Sequence, residues 1–451
     1  MMEYINYQDS YTEYLKEIPS HWQLKKLKYS AKSPKESIAV SEFEQDAVIH
    51  YSIPNIQEFG KGQLESGKEI DSAKIKLSGG EVLISKLNPR KATICIVEQH
   101  DELIVGSGEF IPFIPRDCDN KFLYYFFRSS QFTDYLNSCV ESVTRSHQRI
   151  KPELIYNSFI GLPLQEEQKA IVSFLDHKTE KIDKLIQLKE RKIELLKEKR
   201  AALINDLVTG KLVWDGKDWG KPKETKDSGV EWIGEIPSNW DFSRIGRYMI
   251  VVRGGSPRPA GDPRFFNGDF IPWITVKEVT GKEGKYVVST DSFLTEEGMK
   301  QSRVLNSETL VLSNSGATLG VPAILKLTGC ANDGVVAFEK ISDKVDRDYL
   351  YYFWVTQTKR LLEEQSGYGQ PNLNREIVSN VISPIPPIEE QIAIVSLCDK
   401  ALENNHQLIK SEQSKIELLK EYSQSLISEV VTGKLRVVEE DHSITSQPQL
   451  N

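Results

Sequence analysis

The chain has little of what builds chemistry into a protein. Its five cysteines (Cys95, Cys118, Cys139, Cys330, Cys398) form no C-x-x-C pair, and its seven histidines include no H-x-H or H-E-x-x-H. Neither a disulfide framework nor a structural zinc site is expected from such spacing. No stretch is apolar for the ~18 residues that a membrane span needs, so no membrane segment is expected. The N-terminus lacks the basic-then-apolar order of a signal peptide, and the expected location is the cytoplasm. An excess of positive charge is missing as well: the formal net charge is −8. That excludes a protein that binds nucleic acid by bulk attraction, while a local basic surface stays open because phosphates respond to the nearby field.

Catalytic motifs are also absent. GQLESGKE (Gly62 to Glu69) imitates a phosphate loop but puts Glu69 where a Ser or Thr hydroxyl must meet Mg²⁺, and its carboxylate would repel phosphate. There is no N-P-P-Y to hold a flipped base, no G-x-G-x-x-G for a methyl donor or dinucleotide, and no G-x-S-x-G elbow. The chain reads as a binding and organising protein with no catalytic residues, no metal site and no cofactor of its own.

What is present is a duplication. EIPSHW (Glu17 to Trp22) returns as EIPSNW (Glu235 to Trp240), PLQEEQKAIVSFLD from Pro163 as PPIEEQIAIVSLCD from Pro386, and KIELLKE and VTGKL each occur twice. After each proline stop, paired glutamates suit the positive end of a helix dipole. Apolar residues then recur at alternating spacings of three and four. They are Val172, Leu175, Ile182, Ile186, Ile193, Leu196, Leu203 and Leu207 in the first copy, and Val395, Cys398, Leu402, Ile409, Ile416, Leu419, Leu426 and Val430 in the second. Both runs end at Thr-Gly, where Gly210 and Gly433 suit a C-cap.

A seam of about five heptads is a coiled-coil pattern, and each long helix has the other copy as its natural partner. The alternative is that each stripe packs on its own globular part. Thr179, Lys189 and Arg200 interrupt one seam and Asn405, Glu412 and Ser423 the other; these leave parallel against antiparallel open, although pseudo-two-fold symmetry between the copies favours antiparallel. The layout is α/β (α+β): a mixed domain over 1–162, a central helix over 163–212, a linker over 213–228, a second mixed domain over 229–385, a distal helix over 386–435 and a disordered tail over 436–451. The β-type runs include EVLISKL and ETLVLSNS. The aromatic runs FLYYFF from Phe122 and YLYYFW from Tyr349 read as helix cores rather than base-stacking platforms.

With this order of motifs, together with DSGVEWIGEIPSNW, SNSGATLGVPAI and GYGQPNLN, the sequence resembles the specificity subunit of Type I restriction-modification enzymes over nearly its whole length. The resemblance implies two target recognition domains spaced by an antiparallel coiled coil, and double-stranded DNA as ligand at a bipartite, asymmetric site with an unread gap. It also implies two methyltransferase subunits and two motor-nuclease restriction subunits as partners. Adenine methylation would then use S-adenosylmethionine, and cleavage ATP and Mg²⁺, all held by those partners. The first half departs from the pattern, with SKLNPRK for SNSGATLG and TRSHQRIK near the place of GYGQPNLN, which predicts different DNA preferences for the two domains.

Base readout needs Arg, Lys, Asn or Gln at base edges, with Ser, Thr and cations on phosphates. In the first domain the candidates are Ser85, Lys86, Asn88, Arg90, Lys91, Arg145, His147, Gln148 and Arg149. In the second they are Ser256, Arg258, Arg264, Asn314, Ser315, Thr318, Gln370, Asn372, Asn374 and Arg375. The competing function is a two-domain coiled-coil scaffold that binds proteins without DNA specificity. It would show no salt-dependent duplex binding.

Overall fold

The computed structural model describes residues 3–34, 36–144, 147–282, 284–365 and 372–437. The chain divides into two compact units, Met1–Lys189 with Gln413–Asn451, and Glu190–Glu412. Each unit takes a globular part, one half of each long helix, and mostly antiparallel sheets. The last expected segment, the tail, lies outside the described residues from position 438 on.

The long helices are α1 (Gln165–Val208) and α2 (Ile388–Val431), 44 residues each, or about 66 Å at 1.5 Å per residue. Glu166 and Glu167 open α1, as Glu389 and Glu390 open α2. Both helices are followed by a glycine with left-handed backbone, Gly210 (φ 76°) and Gly433 (φ 78°). In unit 1 the start of α1 packs with the end of α2: Val172 and Leu175 share a core with Leu426, Ile427, Val430 and Val431. In unit 2 Asn405 Nδ2 donates to the Leu196 carbonyl at 2.8 Å, and Lys192 Nζ meets Glu412 at 2.9 Å. As α1 advances, α2 retreats, so the pairing in each unit is antiparallel.

None of the seam residues is exposed, whereas Leu185, Leu188, Leu195, Leu408 and Leu418 on the outer faces are. Asn405 and Glu412 are buried in the seam, where a polar residue with one matching partner fixes register at some cost in stability. The apolar stripe widens beyond the heptad positions near the helix ends, where Ile171, Ile204, Ile394 and Ile427 are buried too. There each helix packs on a globular part as well as on its partner, so the seam and the alternative of packing on a domain hold together.

The duplicated hexapeptides are where those helix ends dock. A Cβ on Gly433 would lie 2.3 Å from Pro19 Cδ, and one on Gly210 would lie 2.3 Å from Pro237 Cδ. Glycine is therefore required at both sites by the positive φ and by the close approach of the Ile-Pro turn. Trp22 and Trp240 are buried beside them, and their indole N–H groups donate to Glu167 and Glu390 in the first turns of α1 and α2.

Unit 1 carries a sheet of β1 (Ala31–Lys32), β2 (Val82–Ser85), β3 (Ile94–Ile96) and β4 (Phe110–Pro115) in the order β3-β2-β4-β1. Unit 2 repeats it with β5 (Ile250–Arg253), β6 (Leu310–Ser313), β7 (Pro322–Leu325) and β8 (Val335–Glu339) in the order β7-β6-β8-β5, and adds a fifth strand, Tyr286–Val287, parallel to β7. The registers agree, since Ser85 faces Phe110 and Ser313 faces Val335. The aromatic runs lie on helices Asn120–Arg128 and Arg347–Gln365 with most of their rings in the cores. The polar stretch 213–228, which composition reads as a plain linker, holds two short antiparallel pairings, Val213–Trp214 with Trp219–Gly220 and Thr225–Asp227 with Glu235–Pro237. Its tryptophans supply the packing that the surrounding glycines and charges conceal.

In unit 2 the buried Lys285 bridges Asp348 (2.7 Å) and Asp399 of α2 (2.8 Å). Burial alone would push the Asp348 carboxyl up, but hydrogen bonds from Lys285 and Arg347 outweigh it and hold the group below the usual carboxylate range. A carboxyl depressed by folding contributes stability above its unfolded pKa and loses it as pH falls through the folded one. The urea midpoint is therefore expected to drop between about pH 5 and about pH 3, and the drop should be smaller in Asp348→Asn. An equal drop in both proteins would show that this carboxyl is not the group responsible.

Candidate nucleic-acid interface

The candidates from Ser85 to Lys91 and from Asn314 to Thr318 lie where the β2–β3 and β6–β7 hairpins turn. In unit 1 the hairpin loop leaves β2 through Ser85 and is joined from the side by the strand His147–Arg149. Leu87 bridges Arg149, the Ile150 N–H donates to the Lys86 carbonyl at 3.1 Å, and the Lys86 N–H donates to the Glu109 carbonyl at 2.8 Å. In unit 2 Ser315 bridges Asn372, the Leu373 N–H donates to the Asn314 carbonyl at 2.8 Å, and the Asn314 N–H donates to the Gly334 carbonyl at 3.0 Å. The two constellations match residue for residue: Ser85 with Ser313, Lys86 with Asn314, Leu87 with Ser315, Arg149 with Asn372, Ile150 with Leu373.

The turn itself follows the same register. Asn88 (φ 51°) stands where Gly316 (φ 76°) stands, since a left-handed residue is needed and Asn is the side chain that tolerates that region best after Gly. Pro89–Lys91 and Gly316–Thr318 then form single 3₁₀ turns. Arg90 and Thr318 fall at matching, exposed positions, with Lys91 exposed next to Arg90. Segments about 60 residues apart in the sequence are thus brought to one edge in each unit, and the scaffold is shared while the side chains it offers differ.

The structure removes some candidates from that edge. Ser85 is 3 % exposed, and its hydroxyl is spent within the turn, donating to the Leu87 carbonyl and accepting from the Leu87 N–H, both at 3.0 Å. Asn314 is 0 % exposed, and its Nδ2 donates to the Asp333 carbonyl. With the Ser85 hydroxyl and the Asn314 amide nitrogen both used inside the protein, both buried side chains hold the loops rather than face solvent. Asn374 is exposed but caps the helix Arg375–Asn380, accepting from the Ile377 N–H at 2.8 Å, with Arg375 exposed on its first turn. Arg264 is tied to Asp262 of its own loop, closest at 2.7 Å, and its hydrogen bonds hold that carboxyl below the usual range. Lys86, Asn88, Gln148 and Ser315 are half-buried, and Arg149, Arg258, Thr318 and Asn372 are exposed. Arg145 and Gln370 lie outside the described residues, and His147 is described by its backbone.

Sequence reasoning missed the acids at this edge. Glu109 binds Arg149, and Asp333 accepts from Ser256 Oγ at 2.6 Å and from Arg258 Nη2 at 3.3 Å. A lone acidic residue before a strand gives no pattern to find; Asn332-Asp333-Gly334 reads only as a turn. The GQLESGKE stretch forms the strand Gln63–Ser66 and one 3₁₀ turn, Gly67–Glu69, so no helix N-terminus is present there to receive a phosphate. Among the described residues no group of three or more His, Cys, Asp or Glu is placed to hold a metal ion, and no helix is long and apolar enough to cross a membrane.

Known proteins share this chain's duplicated layout. The chain is 23 % identical over 436 residues to the putative type I restriction enzyme MjaX specificity subunit of Methanocaldococcus jannaschii, covering 93 % of this chain and 95 % of that one. It is 22 % identical over 315 residues to the EcoBI specificity subunit of Escherichia coli, covering 66 % of this chain and 63 % of the relative. Among solved structures, a chain from work on complex assembly and conformational transition of the type I R-M system superposes with a TM-score of 0.72 at 19 % identity, over 93 % of this chain and 99 % of that one. The HsdS subunit of Thermoanaerobacter tengcongensis gives 0.50 at 18 % identity, over 93 % and 98 %. The model of the type I restriction modification DNA specificity domain matches twice, at residues 19–198 and 237–418, once for each copy of the duplicated frame, and the chain belongs to the type I restriction-modification DNA specificity family.

Proposed function

We propose that this family member supplies DNA sequence specificity by reading one half of a bipartite, asymmetric site with each unit, while the paired helices set the unread gap. The observation that carries this reading is the common register of the two loop edges with different side chains on each: Arg90, Lys91 and Arg149 in one unit, Thr318, Asn372 and Arg258 in the other. A shared frame gives both units one way to meet a groove, and unlike side chains give them different sequences to prefer. The chain is the non-catalytic subunit of a type I system and works with methyltransferase and restriction subunits, two of each in our reading. S-adenosylmethionine, ATP and Mg²⁺ belong to those partners, and the assembly acts in the cytoplasm as a site-specific endonuclease and adenine methyltransferase.

Methylated adenines mapped across a genome with and without this protein test the proposal. A split asymmetric motif that disappears in its absence is the expected result; an unchanged methylation pattern would refute it. Arg90→Ala and Arg375→Ala should each weaken or relax one half of that motif, by about 1–3 kcal/mol if the arginine is bidentate to a guanine. Equal loss of discrimination at both halves from either change would refute the two-reader arrangement.

A further inference from the structure

Each unit sets one carboxylate against its loop edge and ties an arginine to it. Glu109, the residue before β4, accepts Nε–H of Arg149 at 3.3 Å and Nη2–H at 2.8 Å. Asp333, two residues before β8, accepts from Arg258 Nη2 at 3.3 Å and from Ser256 Oγ at 2.6 Å. Its backbone carbonyl accepts from Arg253 Nε at 2.6 Å and Asn314 Nδ2 at 2.9 Å. In the common register the two acids are one residue apart, because Glu109 and Gly334 offer the matching carbonyls to Lys86 and Asn314. The arginines come from unrelated places: Arg149 from the strand His147–Arg149, Arg258 from the loop after β5. The acid stays within one residue of the same place while the source of its arginine has changed.

Packing does not explain these pairs, since the side chains of Arg149 and Arg258 are 62 % and 70 % exposed. Nor does affinity for DNA, because a carboxylate at a surface that meets phosphates opposes binding. What a carboxylate does is restrict a guanidinium. A free arginine can contact phosphates of any sequence, whereas one held along its Nε–Nη2 edge, as Arg149 is, presents its remaining donors in one fixed direction.

We propose that Glu109 and Asp333 are positioning residues for specificity, each holding its unit's arginine at the loop edge for base reading and away from the phosphate backbone. This rests on the DNA-reading function above. Non-specific affinity is given up for discrimination between sequences.

The test uses the full chain co-expressed with a methyltransferase subunit, carrying Asp333→Asn, Asp333→Glu or Glu109→Gln. It maps methylated adenines and measures binding to a duplex without the site at several salt concentrations. Asp333→Asn should lower discrimination at one half-site on the order of tenfold and leave the other half intact, which also reports that the protein is folded. Binding to the site-free duplex should tighten, with the salt dependence steeper by about one phosphate contact. Glu109→Gln should do the same at the opposite half, and Asp333→Glu, which keeps the charge, should retain discrimination. Variants that match the wild type in both measurements would overturn the proposal, as would loss at both halves from a single change. So would Asp333→Glu failing as badly as Asp333→Asn with site-free binding unchanged, since the shape of the turn would then be what matters. A wild-type complex with no split motif would refute the reading itself and the proposal with it; a wild-type motif beside unaltered variants refutes the proposal alone.

Discussion

Removing residues 183–189 together with 413–419 is expected to abolish methylation at the native site and to create a new site with the same two halves and a shorter gap. The two segments face each other in the register that the Leu196–Asn405 and Lys192–Glu412 contacts set. Their removal takes one heptad from each helix, with the seam residues Ile186, Ile416 and Leu419, and leaves both polar contacts in place. Seven residues at 1.5 Å each shorten a helix by about 10 Å, at most about three base pairs at ~3.4 Å per step. Because seven residues do not fill two turns of a straight helix, the deletion also rotates the remainder of each helix by about 20°, and the new gap reflects both changes. Mapped methylation decides the matter: the old motif with its old gap would eliminate the spacer role. Deleting only 183–189 should be worse than deleting both segments, since it slides Lys192 and Leu196 past Glu412 and Asn405 and breaks both polar contacts of the seam. Glu412 is only 4 % exposed while the Lys192 side chain is 55 % exposed, so the cost falls below that of breaking a fully buried pair, about 3–5 kcal/mol.

The helices were the most legible part of the chain because their determinants are local and repeated. Heptad spacing, first-turn glutamates and terminal glycines each carry their own physics, and Gly210 and Gly433 fell where left-handed backbone was required. Orientation was only partly legible: a lysine can approach Glu412 in either direction, and the symmetry of the copies and the family resemblance alone pointed to antiparallel, which contacts such as Asn405 to Leu196 between residues far apart in sequence settle. The loop edges were half legible. Comparing SKLNPRK with SNSGATLG located the same hairpin in both units, since a duplicated strand carries its turn with it. Which side chains face outward was not, because Ser85 and Asn314 look like readers although both strands are buried on both faces to their ends. Glu109 and Asp333 were invisible: their significance lies wholly in which arginine the fold brings to them.

Trp240→Ala is expected to destabilise unit 2 by about 3–5 kcal/mol, the range for truncating a fully buried tryptophan, and to lower its melting midpoint on the order of 10 °C. The ring is fully buried among the residues that close the unit, against Gly210 at the end of α1, and its N–H donates to Glu390 at 2.8 Å. Truncation therefore opens a cavity where the hexapeptide meets the helix end and also takes a donor from a buried carboxylate. Trp240→Phe separates the two effects by keeping most of the apolar volume while removing the N–H. Burial pushes the Glu390 carboxyl above the usual range, and the Trp240 hydrogen bond is the first of the two contacts that pull it back down. Without that donor the charged form is less well held in the folded state, so the carboxyl rises further. A carboxyl raised by folding favours the folded state at low pH and loses that contribution as pH rises through its folded value. The penalty of Trp240→Phe should accordingly be largest at neutral pH and shrink as the solution is acidified toward the carboxylate range, read as the difference in urea midpoint from wild type at each pH. A penalty that stays constant with pH would mean that Trp240 anchors the helix end through its volume alone.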